Sequence, residues 1–165
     1  MPTSDMILYD EEFLKIKETI GRLKQDANAK TILLIDRNGQ EIAVAGDIEN
    51  LDTTAVASLA AGNVAATDGL AKLIGEPDFS SLTHEGVKLS MNITLIGKRV
   101  VLLVMFDDRS SLGLVRLRVK RSGEELSKIF DQILAKAEAE REKGGGIESP
   151  FAEITDDDID ALFND

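Results

Sequence analysis

A run of seven apolar residues, Val100–Phe106, limits the possible fold of this 165-residue chain more than any other segment. The run is too short to span a membrane. A strand that is apolar at every position must be buried on both faces. The fold therefore needs a sheet with a packing layer on each side, and Val100–Phe106 is predicted to be one of its central strands.

Turn signals and periodicity predict the other elements. Asn38-Gly39 lies between two apolar runs, residues 31–35 and 41–45, and predicts an antiparallel hairpin, because both turn residues tolerate positive φ. Residues 82–86 form a weak strand, and residues 88–95 alternate between polar and apolar as a half-buried strand does. Gly97-Lys98 then turns the chain into the central strand.

Three helices complete the pattern. The first is predicted for residues 10–26, with a buried stripe of Phe13, Ile16, Ile20 and Leu23. The second begins after Asp52, a capping residue, and stops at Gly75. After Asp108 the alternation of residues 115–120 also fits a strand, but the longer periodicity favours one helix from about Ser111, with Gly123 as its weak point. The order αββαβββα predicts an α+β fold with a five-stranded antiparallel sheet between helices.

The charge separates a body from a tail. The net charge is −11, of which residues 144–165 carry −7 without a single Lys or Arg. Gly144-Gly145-Gly146 precedes this acidic stretch and predicts a flexible joint. We therefore expect a domain at 1–143 and a glycine-rich linker with an acidic tail at 144–165. An acidic chain with few aromatic residues is also a poor candidate for nucleic-acid binding.

Several classes of chemistry are disfavoured by composition. The chain has no cysteine and one histidine, His84, and it lacks both common glycine-rich phosphate-binding patterns. Asp156-Asp157-Asp158 lacks the spacing of a calcium loop. No nucleophile–base arrangement can be assembled. The sequence therefore predicts no catalytic, cofactor-binding or metal site and no membrane span, and a cytoplasmic protein because no signal peptide is evident.

The second helix has two distinct faces. Its larger apolar residues fall together and are predicted to be the core face: Val56, Leu59, Leu70, Leu73 and Ile74. The opposite face holds small residues: Ser58, Ala61, Gly62, Ala65 and Gly69. Small residues allow another backbone to approach closely, so this face is predicted to contact a second copy or a different partner. A tolerant solvent-exposed face is the simpler alternative.

Two charged segments suggest further contacts. Arg109, Arg116, Arg118, Lys120 and Arg121 are the one concentration of positive charge. They form either a solvated helix face or a surface for an acidic partner or for the chain's own tail. In the tail, Thr155 is a predicted helix cap, and Ile159, Leu162 and Phe163 share one face of the helix that follows. An acidic helix with an apolar face favours docking into a groove over simple disorder.

The segments around the hairpin, the second helix and the central strand together resemble the Roadblock/dynein-light-chain superfamily. The run SLAAGNVAATDGLAKLIGE and the ending SPFAEITDDDIDALF resemble, within it, the bacterial MglB family of gliding-motility proteins. The resemblance implies a homodimer with a continuous sheet and paired second helices. It also implies a Ras-like GTPase partner, MglA, that the dimer activates by shifting switch regions without an arginine finger. The C-terminal helix is implied to modulate nucleotide exchange.

Carried onto this chain, the resemblance implies partner-binding positions on helix two at Ala61, Ala65, Gly69 and Lys72, and in the tail at Ile159, Leu162 and Phe163. The predicted function is therefore a non-catalytic GTPase activator in cell polarity and motility. The alternatives are a dimeric Roadblock scaffold without effect on GTP turnover and a small enzyme with an unrecognised carboxylate site.

Overall fold

A computed structural model describes the backbone from residue 4 to residue 143 and the side chains from residue 10 to residue 142. The elements follow the predicted order: α1 (Ser4–Asp26), β1 (Thr31–Asp36), β2 (Glu41–Gly46), α2 (Thr53–Ile74), β3 (Ser81–His84), β4 (Ser90–Ile96), β5 (Val100–Phe106) and α3 (Leu112–Lys143). The chain divides into two compact units, Met1–Phe130 and Asp131–Asp165, with the boundary inside α3. The predicted tail, residues 144–165, lies outside the described residues.

The five strands form one antiparallel sheet in the order β2-β1-β5-β4-β3. Every residue of β5 is buried, as its uninterrupted apolar sequence predicts. The hairpin is confirmed, but its turn is longer than the Asn-Gly pair implied. Among the residues of this turn, only Gly39 has a positive φ, of 87°. The Asp36 carboxylate accepts hydrogen bonds from the backbone N–H groups of Asn38 and Gln40. At the β4–β5 turn, Gly97 and Lys98 are both left-handed.

The two faces of the sheet are covered by different helices. On one face α2 packs through alanines and Val64 onto the larger side chains of β1, β4 and β5, among them Leu33 and Leu103. Neighbouring strand residues point to the opposite face. There the fully buried Ile32 and Leu34 lie on the side of α1, which contacts β1 and β2. Within α1, Ile16, Ile20 and Leu23 are buried as predicted, whereas Phe13 is partly exposed beside Lys17.

Strand β4 is more buried than its alternating sequence predicted. Asn92, a residue expected to face solvent, is 1% exposed. Its side-chain amide donates to the hydroxyls of Ser81 (3.0 Å) and Thr83 (3.3 Å) on β3, and its amide oxygen accepts from Thr94 at 2.7 Å. Because every polar atom of this side chain has a partner, burial carries no unpaired-group penalty.

Helix α3 is continuous through Gly123, so the predicted weak point is not a break. A Cβ atom placed on Gly123 would lie 2.9 Å from Cδ1 of Ile96 on β4. The glycine therefore allows the helix to approach the sheet closely. The sequence prediction of one long helix beginning near Ser111 is confirmed.

Candidate partner-binding surfaces

Helix α2 is capped as predicted, but a third face, different from both faces defined from the sequence, lies against the sheet. Of the small-residue face only Ala61 is buried, and its other four residues are exposed as predicted. The Asp52 carboxylate accepts from the backbone N–H of Ala55 at 3.1 Å, and Gly75 closes the helix with φ of 80°. The buried residues of the helix are Ala57, Ala60, Ala61, Val64, Thr67 and Ala71. The leucines predicted for the core are exposed: Leu59 by 75%, Leu70 by 59% and Leu73 by 83%. The predicted core face was therefore wrong.

The physical reason is the size of the side chains on the sheet. Leu33, Val101, Leu103 and Met105 fill the space beneath α2, so only small helix residues fit between them and the helix backbone. The leucines are left outside. Leu59, Gly62, Ala66, Leu70 and Leu73 recur at spacings of three and four and form one outward line, here called the α2 apolar strip. Ile74, also exposed, adjoins it.

The candidate helix-two residues occupy two environments. Ala61 is 7% exposed and belongs to the buried side of α2. Ala65, Gly69 and Lys72 are exposed and lie along the flank between the buried side and the α2 apolar strip. The proposed contacts of these three stay a prediction, and the tail candidates Ile159, Leu162 and Phe163 lie outside the described residues.

Edge strand β3 lies beside the α2 apolar strip. The side-chain amide nitrogen of Asn63 on α2 is 2.9 Å from Nε2 of His84, the last residue of β3. Strand β3 pairs with β4 on one side and has no strand neighbour on the other within residues 4–143. The sole histidine therefore connects α2 to a sheet edge that is available for pairing. This contact agrees with a structural role for His84.

Arg37 connects α2 to two turns of the sheet. Its guanidinium forms an ion pair with Asp68 of α2 and also donates to the backbone carbonyl of Lys98 at 3.0 Å. One side chain thus connects the β1–β2 turn, the β4–β5 turn and the middle of α2. No sequence pattern signals this contact, because its three members are 30 or more residues apart.

The basic cluster divides into paired and unpaired members. Arg109 donates to both carboxylate oxygens of Asp107, and its backbone N–H also bonds to that carboxylate. These hydrogen bonds lower the pKa of Asp107 and, reciprocally, raise the pKa of Arg109. On α3, Arg116, Lys120 and Arg121 are exposed, and none of them forms an ion pair within residues 10–142.

The described residues offer surfaces for contact and no assembled chemistry. Across the part of the chain that the structure describes, no group of three or more His, Asp or Glu side chains could hold a metal ion. An open cleft of about 540 Å³ is lined by Lys88, Asp107 and Asp108 among others, but it contains no pairing of a nucleophile with a base. No helix among the described residues is long and apolar enough to cross a membrane.

The comparisons with known proteins agree with this architecture. The Roadblock/LC7 domain family matches residues 15–106. The solved structure of MglB from Myxococcus xanthus has 58% identity and a TM-score of 0.72, and the match covers 74% of this chain and 92% of that one. An MglB structure with a tetrameric arrangement gives 30% identity, the same coverages and a TM-score of 0.70.

The gliding protein MglB from Thermus thermophilus gives 32% identity and a TM-score of 0.66, over 74% of this chain and 90% of that one. Comparison with curated protein sequences gives no match. The sequence identity extends over nearly the full length of the solved relatives, and the TM-scores of 0.66 to 0.72 show that the fold is shared. The chain therefore belongs to the Roadblock/LC7 family and, within it, to the MglB proteins.

Proposed function

We propose that this chain is a cytoplasmic, non-catalytic activator of a small Ras-like GTPase of the MglA type and serves in cell polarity and gliding motility. The observation that carries the proposal is the 58% identity to Myxococcus xanthus MglB. The surfaces described above support it, since they suit contact between proteins. The tail candidates Ile159, Leu162 and Phe163 are proposed to modulate nucleotide exchange.

The proposed active form is a homodimer built from the α2 apolar strip and the β3 edge. Four exposed apolar side chains on one helix, Leu59, Leu70, Leu73 and Ile74, are costly in water unless a partner covers them. The neighbouring edge strand can extend the sheet into a second copy. The flank residues Ala65, Gly69 and Lys72 then lie beside the proposed two-fold axis, where they are available to the GTPase.

The proposed mechanism uses no arginine finger. The guanidinium of Arg109 donates three hydrogen bonds to the Asp107 carboxylate, so its entry into another protein's nucleotide site would require the loss of this contact. Activation instead comes from the GTPase's own residues, once the dimer has shifted its switch regions. An arginine finger contributes roughly 10³–10⁵ in rate, so its presence or absence is easily measured.

Single-turnover GTP hydrolysis by an MglA-type GTPase at saturating regulator tests the proposal. We expect stimulation by the wild-type chain and its loss in Ala65→Arg, because a long cation would block close approach. Ala135→Arg is the matched control, since Ala135 is an exposed alanine of α3. Sedimentation must show that both variants keep the mass of the wild type.

The arginine variants test the mechanism separately. Arg109→Ala, Arg116→Ala and Arg118→Ala are expected to retain most of the rate at saturation. A loss of about a thousandfold in one of them, with the fold intact, would contradict the finger-free mechanism. No stimulation by the wild-type chain would instead favour a dimeric Roadblock scaffold.

A further inference from the structure

The first ten residues of α3 carry positive charge and no negative charge. Residues 112–121 contain four cations, Arg116, Arg118, Lys120 and Arg121, and no acid. Arg116, Leu117, Lys120 and Arg121 are all exposed. Two adjacent residues of one turn lie four residues before two adjacent residues of the next, so the four share one outward surface, here called the α3 basic face. Leu117, in its middle, is 63% exposed. The face therefore combines three cations with one apolar contact.

This arrangement costs free energy in an isolated chain. Arg116 and Lys120 are like charges four residues apart, which repel each other. Lys120 and Arg121 are adjacent cations on the same surface. An anionic segment laid on the α3 basic face would relieve this repulsion, and an apolar side chain within that segment would cover Leu117.

We propose that the acidic C-terminal segment of this same chain, residues 153–163, docks on the α3 basic face. Charge complementarity supports this occupant. The body has a net charge of −4 and the tail a net charge of −7, so an acidic tail would be repelled by the body as a whole and attracted at this face. The segment contains Asp156, Asp157, Asp158 and Asp160 around Ile159, which matches three cations around Leu117.

The length of the chain permits the contact. Arg121 and Lys143 are 22 residue steps apart, which corresponds to about 33 Å along a helix. The 12 residues from Gly144 to Thr155, which precede the four aspartates of the docking segment, could span up to roughly 40 Å if extended. The acidic segment can therefore return to the first half of α3. Docked there, it is unavailable to another partner, so fold-back and partner binding compete for the same residues.

A spin label on the tail tests the proposal in the full-length chain, without any GTPase. Since the chain has no cysteine, Asp165→Cys provides a single site for a nitroxide. At low ionic strength we expect amide signals of residues 116–121 to broaden more than those of β3 on the far edge of the sheet. At ~1 M salt, where the Debye length is about 3 Å, the broadening should largely disappear.

Two sets of charge reversals decide whether the α3 basic face is the site. Arg116→Glu, Lys120→Glu and Arg121→Glu together should abolish the broadening. Lys15→Glu, Lys88→Glu and Arg99→Glu are the matched control, because they change the net charge equally at exposed positions elsewhere. Leu117→Ser should weaken the contact without a change in charge. Broadening in α3 no greater than in β3, or equal loss in both triple variants, would overturn the proposal. Neither result would affect the proposed GTPase activation.

Discussion

The exposed leucines of the α2 apolar strip allow a quantitative test of dimer formation through Leu73→Ala. Leu73 is 83% exposed in the single chain, so its truncation should leave the fold of a protomer almost unaffected. If the proposed dimer buries it, the change removes three carbon atoms at ~0.8 kcal/mol each, or about 2 kcal/mol per protomer after scaling by the exposed fraction. A two-fold interface contains the residue twice, which makes about 4 kcal/mol.

Such a loss corresponds to roughly a thousandfold increase in the dimer dissociation constant. Sedimentation equilibrium over a range of concentrations measures the constant, and circular dichroism checks the fold. The matched control is Leu14→Ala, because Leu14 is 60% exposed on α1. It should leave the constant unchanged. If Leu73→Ala changes the dissociation constant no more than Leu14→Ala does, the α2 apolar strip is not the dimer interface.

Three further predictions concern the fold itself. Asp68→Asn removes the ion pair with Arg37, and because both side chains are partly exposed we expect a loss of only ~0–1 kcal/mol in the free energy of unfolding by urea. Gly21→Ala, with nothing within 4 Å of the new Cβ, should raise that free energy by about 1 kcal/mol, whereas Gly123→Ala should gain less because Ile96 must move. Arg109→Ala should return the lowered pKa of Asp107 towards its ordinary value in a carboxyl NMR titration. A carboxyl whose pKa is lower in the native state than in the unfolded state stabilises the fold above the unfolded pKa. This stabilisation is lost as the pH falls from the unfolded pKa through the native pKa, so the variant should lose less stability than wild type in that interval.

The elements predicted best were those for which the local propensity of the residues and the longer hydrophobic pattern indicate the same structure. Strand β5 was recognised because seven apolar residues leave no exposed face, and α2 because a capping Asp52 and a left-handed Gly75 bracket one periodic segment. Helix α3 was recognised because its periodicity continues far beyond the stretch that also resembles a strand. In each case local propensity and pattern agree, and tertiary context did not override them.

The orientation of α2 could not be obtained from hydropathy, because both of its faces are apolar. A rule that places the most hydrophobic face inward puts the leucines in the core. It takes no account of the sheet, whose large side chains leave space only for the alanines, Val64 and Thr67 of the buried face. One signal was present: Ala57, Ala60, Val64, Thr67 and Ala71 recur at spacings of three and four, which marks a second stripe that could be buried. The Asn92 network and the Arg37 contact depend on residues distant in sequence, so no local pattern reveals them.

The coverage of the sheet explains why association and folding would be linked in this protein. A single helix, α2, covers one face of five strands, and Leu82, Met91 and Leu95 of β3 and β4 remain only partly buried beside it. These residues adjoin the β3 edge, where the proposed second copy would pair. The α2 of that copy, with its own leucines outward, could extend the same layer over the incompletely covered strands. The α2 apolar strip of each copy would then supply the apolar surface that covers these strands. Dissociation of the dimer should therefore expose the strip and this part of the sheet together.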